Sequence, residues 1–317
     1  MKTFADKLQL FKNKVSEIYL NDSEKILETH FYNRNKTFRI NKLKQKLDQE
    51  VLESLLNQGI KCKQIEGLDN FYIALENSNK LSFTNEFNSN QIYIQEASSS
   101  LPVYEINSEE NDLILDMCAS PGSKTSLIQN LSDNKANVVA VEKSRNRFFK
   151  LKENLVNNGV ENVQVFNIDA NRLIFIKPEF SNYFNKIIVD VPCTTESKVD
   201  LNEQDSLKEW KPQNAKSISK LQRGLLNSAF KMLKPGGTLI YSTCTYSVEE
   251  NEDVVNWFLK NNSNAKLLNI DLSIKNIKDG VTSYREKKYT QDMTLTKRII
   301  PNNEFTAFYM AKLTKVA

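Results

Sequence analysis

Two cysteines stand where a thiol could do chemistry. Cys193 ends the stretch VDVPC (residues 189–193), Cys244 lies in YSTCT (241–245), and each follows a short apolar run. A deprotonated thiol is a strong nucleophile and permits covalent catalysis. We expect the other two cysteines, Cys62 and Cys118, to be small, buried, apolar side chains. The four cysteines are far apart in a chain with one histidine, so we expect neither a metal site nor a disulfide framework.

Acidic residues follow several of the other apolar runs. If these runs are strands of a parallel sheet, their carboxyl ends meet at one edge, where ligands of such sheets bind. The residues at this edge are Asp116, Glu142, Asp169, Asp190 and Cys244. A single acid there could simply cap a helix. Their recurrence at successive strand ends indicates a ligand site.

The loop DMCASPGSKT (116–125) follows the first of these strands. Its Pro121-Gly122 turn lets the backbone approach a ligand closely, but neither G-x-x-x-x-G-K nor G-x-G-x-x-G is present. Glu142 comes about twenty residues after Gly122, where an acid binds ribose hydroxyls in such folds. Asp169 could accept the amino group of an adenine. The pattern predicts an adenosine-containing ligand without a triphosphate, and S-adenosylmethionine fits best.

The elements that must position these residues form two units. Residues 1 to about 32 have helical apolar spacing, and TFRI, LDQEVLESLLNQG, FYIALE and QIYIQ then predict a small α+β unit. From residue 113 short apolar runs alternate with helices, which predicts a doubly wound, mostly parallel α/β sheet. We therefore predict domains of residues 1–105 and 106–317. FTAFYMAKL (305–313) predicts a late antiparallel strand at the sheet edge.

Composition and charge give weaker indications. The chain of 317 residues has a net charge of +4, too small to indicate a nucleic-acid partner. The basic run at residues 34–46 is either a solvated face or a phosphate-binding surface. His30 alone predicts only an ordinary surface or half-buried side chain. No long apolar segment is present and the first residues are unlike a signal peptide, so we expect no membrane partner and a cytoplasmic location.

The motifs DMCASPGSKT, VDVPC and YSTCTYSVEENEDVV, in this order and spacing, resemble the RsmB/NSUN family of RNA (cytosine-5) methyltransferases. IYIQEASSSLP and RIIPNNEFTAFYMAKL resemble it as well, so the similarity covers residues from about 37 to the end. It implies a class I methyltransferase (Rossmann-like) domain preceded by a small α+β (RRM-like) RNA-binding domain. It also implies methyl transfer from S-adenosylmethionine to carbon 5 of a cytosine in tRNA or rRNA. We further expect a monomer without a metal.

The resemblance also implies roles for individual residues. Cys244 would be the nucleophile that adds to carbon 6 of the cytosine, and Cys193 would assist product release. Asp190 would hydrogen-bond or protonate the base edge, and Lys124 would orient the cytosine. The residues expected to bind the cofactor are Cys118, Ala119, Ser120, Pro121, Gly122, Ser123, Lys124, Glu142, Arg147, Asp169 and Asp190. Those expected to hold the RNA backbone are Arg34, Lys36, Arg39 and Lys42.

The sequence departs from the family pattern at two places, and it leaves alternative functions open. Ser123 stands where many members have glycine, and residues 194–196 (Thr-Thr-Glu) replace a common Ser-Gly, which bears on the shape of the base pocket. The alternatives are a non-catalytic RNA-binding assembly factor, a DNA cytosine-5 methyltransferase with Cys193 as its nucleophile, and a dithiol redox protein. The Thr-Cys-Thr element around Cys244 favours an RNA enzyme.

Overall fold

A computed structural model describes residues 3–45 and 47–316 of the chain. The helices are α1 (Phe4–Tyr19), α2 (Ser23–Glu28), α3 (Asp48–Asn57), α4 (Asn85–Asn88), α5 (Ala97–Ile106), α6 (Ser123–Leu131), α7 (Arg145–Asn157), α8 (Leu173–Ile176), α9 (Asn214–Met232) and α10 (Glu252–Asn261). The strands are β1 (Thr37–Ile40), β2 (Cys62–Gln64), β3 (Phe71–Ala74), β4 (Ile92–Ile94), β5 (Leu113–Met117), β6 (Asn137–Val141), β7 (Val163–Phe166), β8 (Phe184–Asp190), β9 (Leu233–Thr243), β10 (Ala265–Leu268), β11 (Ile277–Asp279), β12 (Ser283–Tyr284), β13 (Lys287–Lys288), β14 (Lys297–Ile299) and β15 (Phe308–Lys315).

The small sheet near the N-terminus has the order β2-β3-β1-β4, with every pair antiparallel. Its elements follow one another as β-α-β-β-α-β, which is the RRM-like arrangement that the resemblance implies. Side chains of β1 alternate: Phe38 and Ile40 enter the core beneath α3, whereas Arg39 contacts α6 through Ser126. One face of this sheet is therefore turned toward the rest of the chain.

The large sheet is the doubly wound α/β sheet predicted from the sequence. Its order is β11-β14-β15-β9-β8-β5-β6-β7, with β10 also pairing with β15. The five neighbouring strands β9, β8, β5, β6 and β7 are parallel to one another. This places the ends of β5, β6, β7, β8 and β9 at one edge of the sheet, as the sequence analysis expects.

The prediction that β15 forms the sheet edge is wrong. β15 is antiparallel, as expected, but it lies between β9 on one side and β14 and β10 on the other. Tyr309, Met310, Ala311 and Leu313 are all fully buried. A continuous apolar run of this kind is typical of a central strand that is covered on both faces.

Helices cover both faces of the large sheet. On one face α9 and α10 contribute Leu226, Phe230 and Phe258 to the core. On the other face α5 and α6 pack together with Ile65 and Phe71 from the N-terminal unit. Side chains from both predicted domains share this second core, and the division at residues 105 and 106 stays a prediction.

The first helices pack on the C-terminal part of the chain rather than on the small sheet. Phe11 and Val15 of α1 and Ile26 of α2 share a core with Trp210 and Tyr246. Tyr246 lies two residues after Cys244. The N-terminal helices therefore support the loops that follow β8 and β9.

A buried ion pair joins these parts of the fold. Arg298 on β14 and Glu252 at the start of α10 are almost fully buried, and Arg298 Nε donates to Glu252 Oε1 at 2.7 Å. The same guanidinium donates to the Tyr246 carbonyl at 3.0 Å and to the Tyr19 hydroxyl at 3.1 Å. It thus connects the sheet, two helices and the segment after Cys244.

We predict that Arg298→Met lowers the free energy of unfolding by about 3–5 kcal/mol, because Glu252 is left as a buried charge without its partner. The control is Arg285→Met, which removes an ion pair with Glu17 that is largely exposed and should cost less than about 1 kcal/mol. Urea unfolding of both variants measures the difference. Equal losses in the two variants would contradict the role assigned to Arg298.

Candidate active site

Cys193 and Cys244 lie side by side at the edge where β8 and β9 end. The two strands are parallel neighbours, with Asp190 opposite Ser242 in the register. The Sγ atoms of the two cysteines are 3.3 Å apart. Each thiol is partly buried, and the contact is short enough for one thiol to donate a hydrogen bond to the other. The structure thus brings together the two cysteines that the sequence singles out.

The two thiols differ in acidity. A hydrogen bond from Cys193 lowers the pKa of Cys244 below its ordinary value, and the positive charges of Lys198 and Lys124 act in the same direction, against burial and the charge of Asp190. The hydrogen bond to Cys244 and burial raise the pKa of Cys193 well above its ordinary value. Cys244 is therefore the thiol that ionises first and the better nucleophile near neutral pH.

Lys124 and Asp190 form an ion pair beside the thiols. Lys124 Nζ lies 2.6 Å from Asp190 Oδ2 and donates to Ser99 Oγ at 2.8 Å. Asp190 Oδ1 accepts a hydrogen bond of 2.8 Å from the Ser242 hydroxyl. Lys124 on α6 and Ser242 on β9 hold the carboxylate directly, and Ser99 on α5 holds the lysine.

Glu250 holds the loop that carries Cys193. Its carboxylate accepts hydrogen bonds from the Thr194 backbone N–H at 3.0 Å, the Thr194 hydroxyl at 2.5 Å and Gln222 at 3.0 Å. The Thr194 and Thr245 hydroxyl oxygens are 2.8 Å apart, so the two cysteine loops are in direct contact. Burial raises the pKa of Glu250 to about 7.

Glu196, in the segment that departs from the family pattern, is fully buried. It forms an ion pair of 2.6 Å with Lys14 on α1 and accepts hydrogen bonds from Trp210 at 2.9 Å and from the Thr245 hydroxyl at 2.8 Å. A buried carboxylate needs such partners, because an unpaired charge in the interior is costly. The unusual Glu196 therefore ties the N-terminal helix to both cysteine loops.

His30 provides a second tie between the N-terminal segment and these loops. It is fully buried, which corrects the expectation of a surface or half-buried side chain. Its Nδ1 lies 2.7 Å from the Val199 carbonyl oxygen and its Nε2 lies 2.8 Å from the Tyr246 hydroxyl. Burial lowers the pKa of His30 to about 4, so the ring is neutral near pH 7. A neutral ring can donate to the carbonyl and accept from the phenol.

The loop after β5 takes a constrained path around the site. Gly122 has a φ of +104°, and a Cβ at that position would lie 3.0 Å from Leu151 Cδ1, so only glycine fits without a shift. Arg147 on α7 donates to the Ser120 carbonyl at 2.8 Å and the Ser120 hydroxyl donates back to the Arg147 carbonyl at 2.9 Å. The loop is therefore held by α7 as well as by its own turn.

Two adjoining cavities open at this edge. The first, which we call the thiol cavity, has a volume of ≈ 450 Å³, and its lining includes Tyr93, Lys124, Asp190 and Cys244. The second, which we call the Glu142 cavity, has a volume of ≈ 430 Å³ and is lined partly by Glu142, Asp169 and Pro192. The two cavities share Cys118 and Arg147.

Two buried carboxylate oxygens at this edge have no hydrogen-bond partner among the described residues. They are Asp116 Oδ1 and Glu142 Oε2. The other oxygen of Asp116 accepts from the Thr125 hydroxyl at 2.6 Å, and that of Glu142 accepts from the Ser144 N–H at 2.7 Å. Burial raises the pKa of Asp116 to about 6. Glu142 Oε2 lies 3.6 Å from Arg147 Nη2, an ion-pair distance. Buried acceptors without a hydrogen bond suit a ligand with hydroxyl or amino donors.

Most of the predicted site residues gather at these cavities. Cys118, Ala119, Ser120, Pro121, Ser123, Lys124, Arg147, Asp190 and Cys244 line the thiol cavity, and Cys118, Glu142, Arg147 and Asp169 line the Glu142 cavity. Gly122 shapes the turn of the same loop. No group of three or more His, Cys, Asp or Glu residues in the described ranges is arranged to hold a metal ion. None of the helices described there is long and apolar enough to cross a membrane.

Known proteins resemble this chain in sequence and in structure. A sequence model of the family described as 16S rRNA methyltransferase RsmB/F matches residues 103–314. The chain belongs to the RsmB/F methyltransferase family. It is 32% identical, over 98% of its length and 99% of the relative, to a tRNA (cytosine(49)-C(5))-methyltransferase of Pyrococcus abyssi. It is 40% identical to ribosomal RNA small subunit methyltransferase F of Cronobacter sakazakii, over 58% of this chain and 38% of the relative.

A solved structure agrees over the whole chain. The crystal structure of a methyltransferase homolog protein from Pyrococcus horikoshii superposes with a TM-score of 0.84 at 28% identity, covering 99% of each chain. The resemblance and the class I methyltransferase fold predicted from the sequence are confirmed. As a member of the RsmB/F family, the protein is a methyltransferase.

One predicted RNA contact of this RsmB/F family member needs correction. Arg39 is only 1% exposed; its guanidinium donates to Ser126 at 2.7 Å and to Gln95 at 3.2 Å and lies 4.7 Å from the centre of the Tyr93 ring. It cannot contact an RNA backbone because it joins the small sheet to α6. The alternation of side chains along β1 could have predicted this position, because it puts Arg39 on the face of the sheet opposite Phe38.

The remaining predicted RNA contacts are more accessible. Arg34 and Lys36 are half-buried. Lys42 forms an ion pair with Asp48 at the start of α3. These three residues remain predicted RNA contacts.

Several residues without a predicted role support the site. They are Tyr93, Ser99, Asp116, Lys198, Ser242 and Glu250. Glu196 is marked in the sequence only as part of the Thr-Thr-Glu departure from the family pattern. Contacts between distant segments reveal the anchoring roles of Glu196 and Glu250.

We predict that alkylation of Cys244 by iodoacetamide has a pH midpoint below that of an ordinary cysteine, because the thiolate is the reactive form. Cys193→Ala should move this midpoint upward by removing the hydrogen-bond donor, whereas Cys193→Ser, which keeps a donor, should move it less. Peptide mass spectrometry across about pH 6 to 10 measures the midpoints. An unchanged midpoint in Cys193→Ala would contradict the assigned direction.

Proposed function

We propose that the protein methylates carbon 5 of a cytosine in tRNA or rRNA, using S-adenosylmethionine and a covalent bond between Cys244 and the base. The observation that carries this proposal is the pair of thiols 3.3 Å apart, of which Cys244 lines a cavity of ≈ 450 Å³ together with Lys124 and Asp190. The relatives named above act on cytosine carbon 5 of tRNA or on ribosomal RNA, which supports the substrate class.

The Glu142 cavity fits the adenosine part of S-adenosylmethionine. The buried Glu142 Oε2 has no hydrogen-bond partner among the described residues and would accept from a ribose hydroxyl. Asp169 is fixed by Lys143 at 2.8 Å and by the Asn171 N–H at 3.0 Å, so it can present its carboxylate to an adenine amino group. When bound, S-adenosylmethionine supplies the electrophilic methyl group that carbon 5 accepts.

Cys244 activates the base. Carbon 5 of cytosine is a poor nucleophile until a thiolate adds to carbon 6, which turns the ring into an enamine. The lowered pKa of Cys244 raises the fraction of thiolate available for this addition. Asp190, held by Lys124 and Ser242, would bind the edge of the base, and Lys124 would orient it. The target cytosine has to be unpaired or extruded to reach this cavity.

Cys193 is suited to the release step. After methyl transfer the proton on carbon 5 has to be removed and the Cys244 thiol expelled. The hydrogen bond to Cys244 is the largest cause of the raised pKa of Cys193, ahead of burial and the charge of Cys244, and this hydrogen bond and this charge are lost when Cys244 is bonded to carbon 6. The pKa of Cys193 then falls, so more of Cys193 is present as the thiolate, the form that can accept the proton of carbon 5.

We predict that the protein, incubated with radiolabelled S-adenosylmethionine and with unmodified tRNA or rRNA transcripts, produces 5-methylcytosine. Nucleoside digestion and chromatography identify the product. Cys244→Ala should reduce the yield by at least about a thousandfold, because the base is no longer activated. The proposal fails if the wild-type protein yields no 5-methylcytosine in either RNA class, or if Cys244→Ala remains active.

We predict that Cys193→Ala accumulates a covalent complex with RNA, because the adduct forms but is not released. Cys244→Ala should form none, and neither should the double variant. A band that shifts on denaturing gels and disappears after nuclease treatment measures the complex. Accumulation in Cys244→Ala instead would exchange the roles of the two cysteines.

A further inference from the structure

Two aromatic side chains near the site remain exposed. Phe31 is 45% exposed and Tyr32 is 44% exposed, and both lie just after α2. Together with Arg34 and three asparagines they line an open cavity of ≈ 510 Å³, which we call the aromatic cavity. Rings this accessible gain little from the core and suit contact with a partner that has flat apolar faces.

The segment that carries these rings is fixed to the catalytic loops. His30, directly before Phe31, contacts the Val199 carbonyl and the Tyr246 hydroxyl. The Leu201 N–H donates to the His30 carbonyl at 2.9 Å, and Asn202 donates to the Phe31 carbonyl at 3.0 Å. Its anchors therefore follow Cys193 and Cys244 closely in the chain, so the rings are held in place before any partner binds.

The aromatic cavity lies next to the thiol cavity. Arg34 lines the former, and Glu96 and Lys198 line the latter. Arg34 and Lys198 are both close enough to interact electrostatically with Glu96. Asn303 belongs to the aromatic cavity and Thr306, three residues later, to the thiol cavity. A chain of nucleotides that leaves the thiol cavity on the side of Glu96 and Lys198 would therefore run toward the aromatic cavity.

Cations lie at the two cavities. Arg34 lines the aromatic cavity and Lys198 lines the thiol cavity, and both face the carboxylate of Glu96. The guanidinium of Arg34 donates to the Thr29 hydroxyl at 3.1 Å, which uses one nitrogen and leaves the others available. Exposed aromatic rings with neighbouring cations are the arrangement that binds single-stranded nucleic acid, since bases stack on the rings and phosphates pair with the cations.

We propose that Phe31 and Tyr32 stack against unpaired bases that flank the target cytosine, and that Arg34 contacts the phosphate between them. The proposal rests on the proposed function, because it takes RNA to be the substrate. It assigns the N-terminal segment a direct part in holding the substrate. The rings would thereby keep the flanking strand open while the target base occupies the thiol cavity.

The test compares Phe31→Ala, Tyr32→Ala and the double variant with Phe175→Ala. Phe175 is 75% exposed but lies on α8 and lines neither the aromatic cavity nor the thiol cavity. Affinity for a single-stranded RNA oligonucleotide is measured by fluorescence anisotropy, and KM and kcat by methylation of the full RNA. Loss of one stacking ring should weaken affinity by about tenfold and raise KM with little change in kcat. Phe31→Tyr and Tyr32→Phe, which keep a ring, should retain affinity.

Further measurements separate this proposal from the proposed function. The alkylation midpoint of Cys244 should be unchanged in the alanine variants, which shows that the catalytic loops are intact. Arg34→Gln should reduce the slope of log affinity against log salt by about 0.7, the value for one phosphate contact on a single strand. Unchanged affinity in the double variant would overturn the stacking role even if the enzyme makes 5-methylcytosine. RNA binding that depends on the rings without any methylation would overturn only the proposed function.

Discussion

The contact between two sulfur atoms is the feature on which the rest of the site depends. Two neighbouring parallel strands end about 4.8 Å apart, and the residues just beyond them, Cys193 and Cys244, meet at 3.3 Å. At this distance both thiols cannot carry a charge, so their acidities separate and one ionises while the other keeps its proton. The geometry of the sheet thus produces the chemical difference between two identical side chains.

This contact persists because two buried carboxylates anchor the loops that carry the thiols. Glu196 is neutralised by Lys14 from the first helix, and Glu250 is satisfied by Thr194 and Gln222. The pKa of Glu250 is raised from 4.5 to about 7. The folded state therefore binds a proton on Glu250 more tightly than the unfolded state does. This difference stabilises the folded state at low pH, and the stabilisation is lost as the pH rises through about 7. The anchoring of the Cys193 loop is consequently sensitive to pH near neutrality.

The sequence predicted the features that depend on local pattern. Strand ends followed by acids, the loop around Gly122 and the two cysteine motifs were recognisable because strand periodicity fixes which residues meet at the edge of a parallel sheet. Features that arise from contacts between distant segments were not recognisable. In the sequence Arg39 belongs to a basic run, and only its contacts in the fold show that it is buried. The role of His30 is not visible in the sequence because its partners are about 170 and 216 residues away. The interior position of β15 was also missed, although its unbroken apolar run was a usable signal.

The place of β15 in the large sheet has a consequence for the order in which the chain can fold. β9, which ends at Cys244, pairs along one side with a strand formed by residues 308–315. During synthesis from the N-terminus, that side of β9 has unpaired amide and carbonyl groups until residues 308–315 have emerged. An apolar strand with an open edge is prone to pair with another molecule. The strand that ends at Cys244 is therefore exposed to self-association until β15 has paired with it.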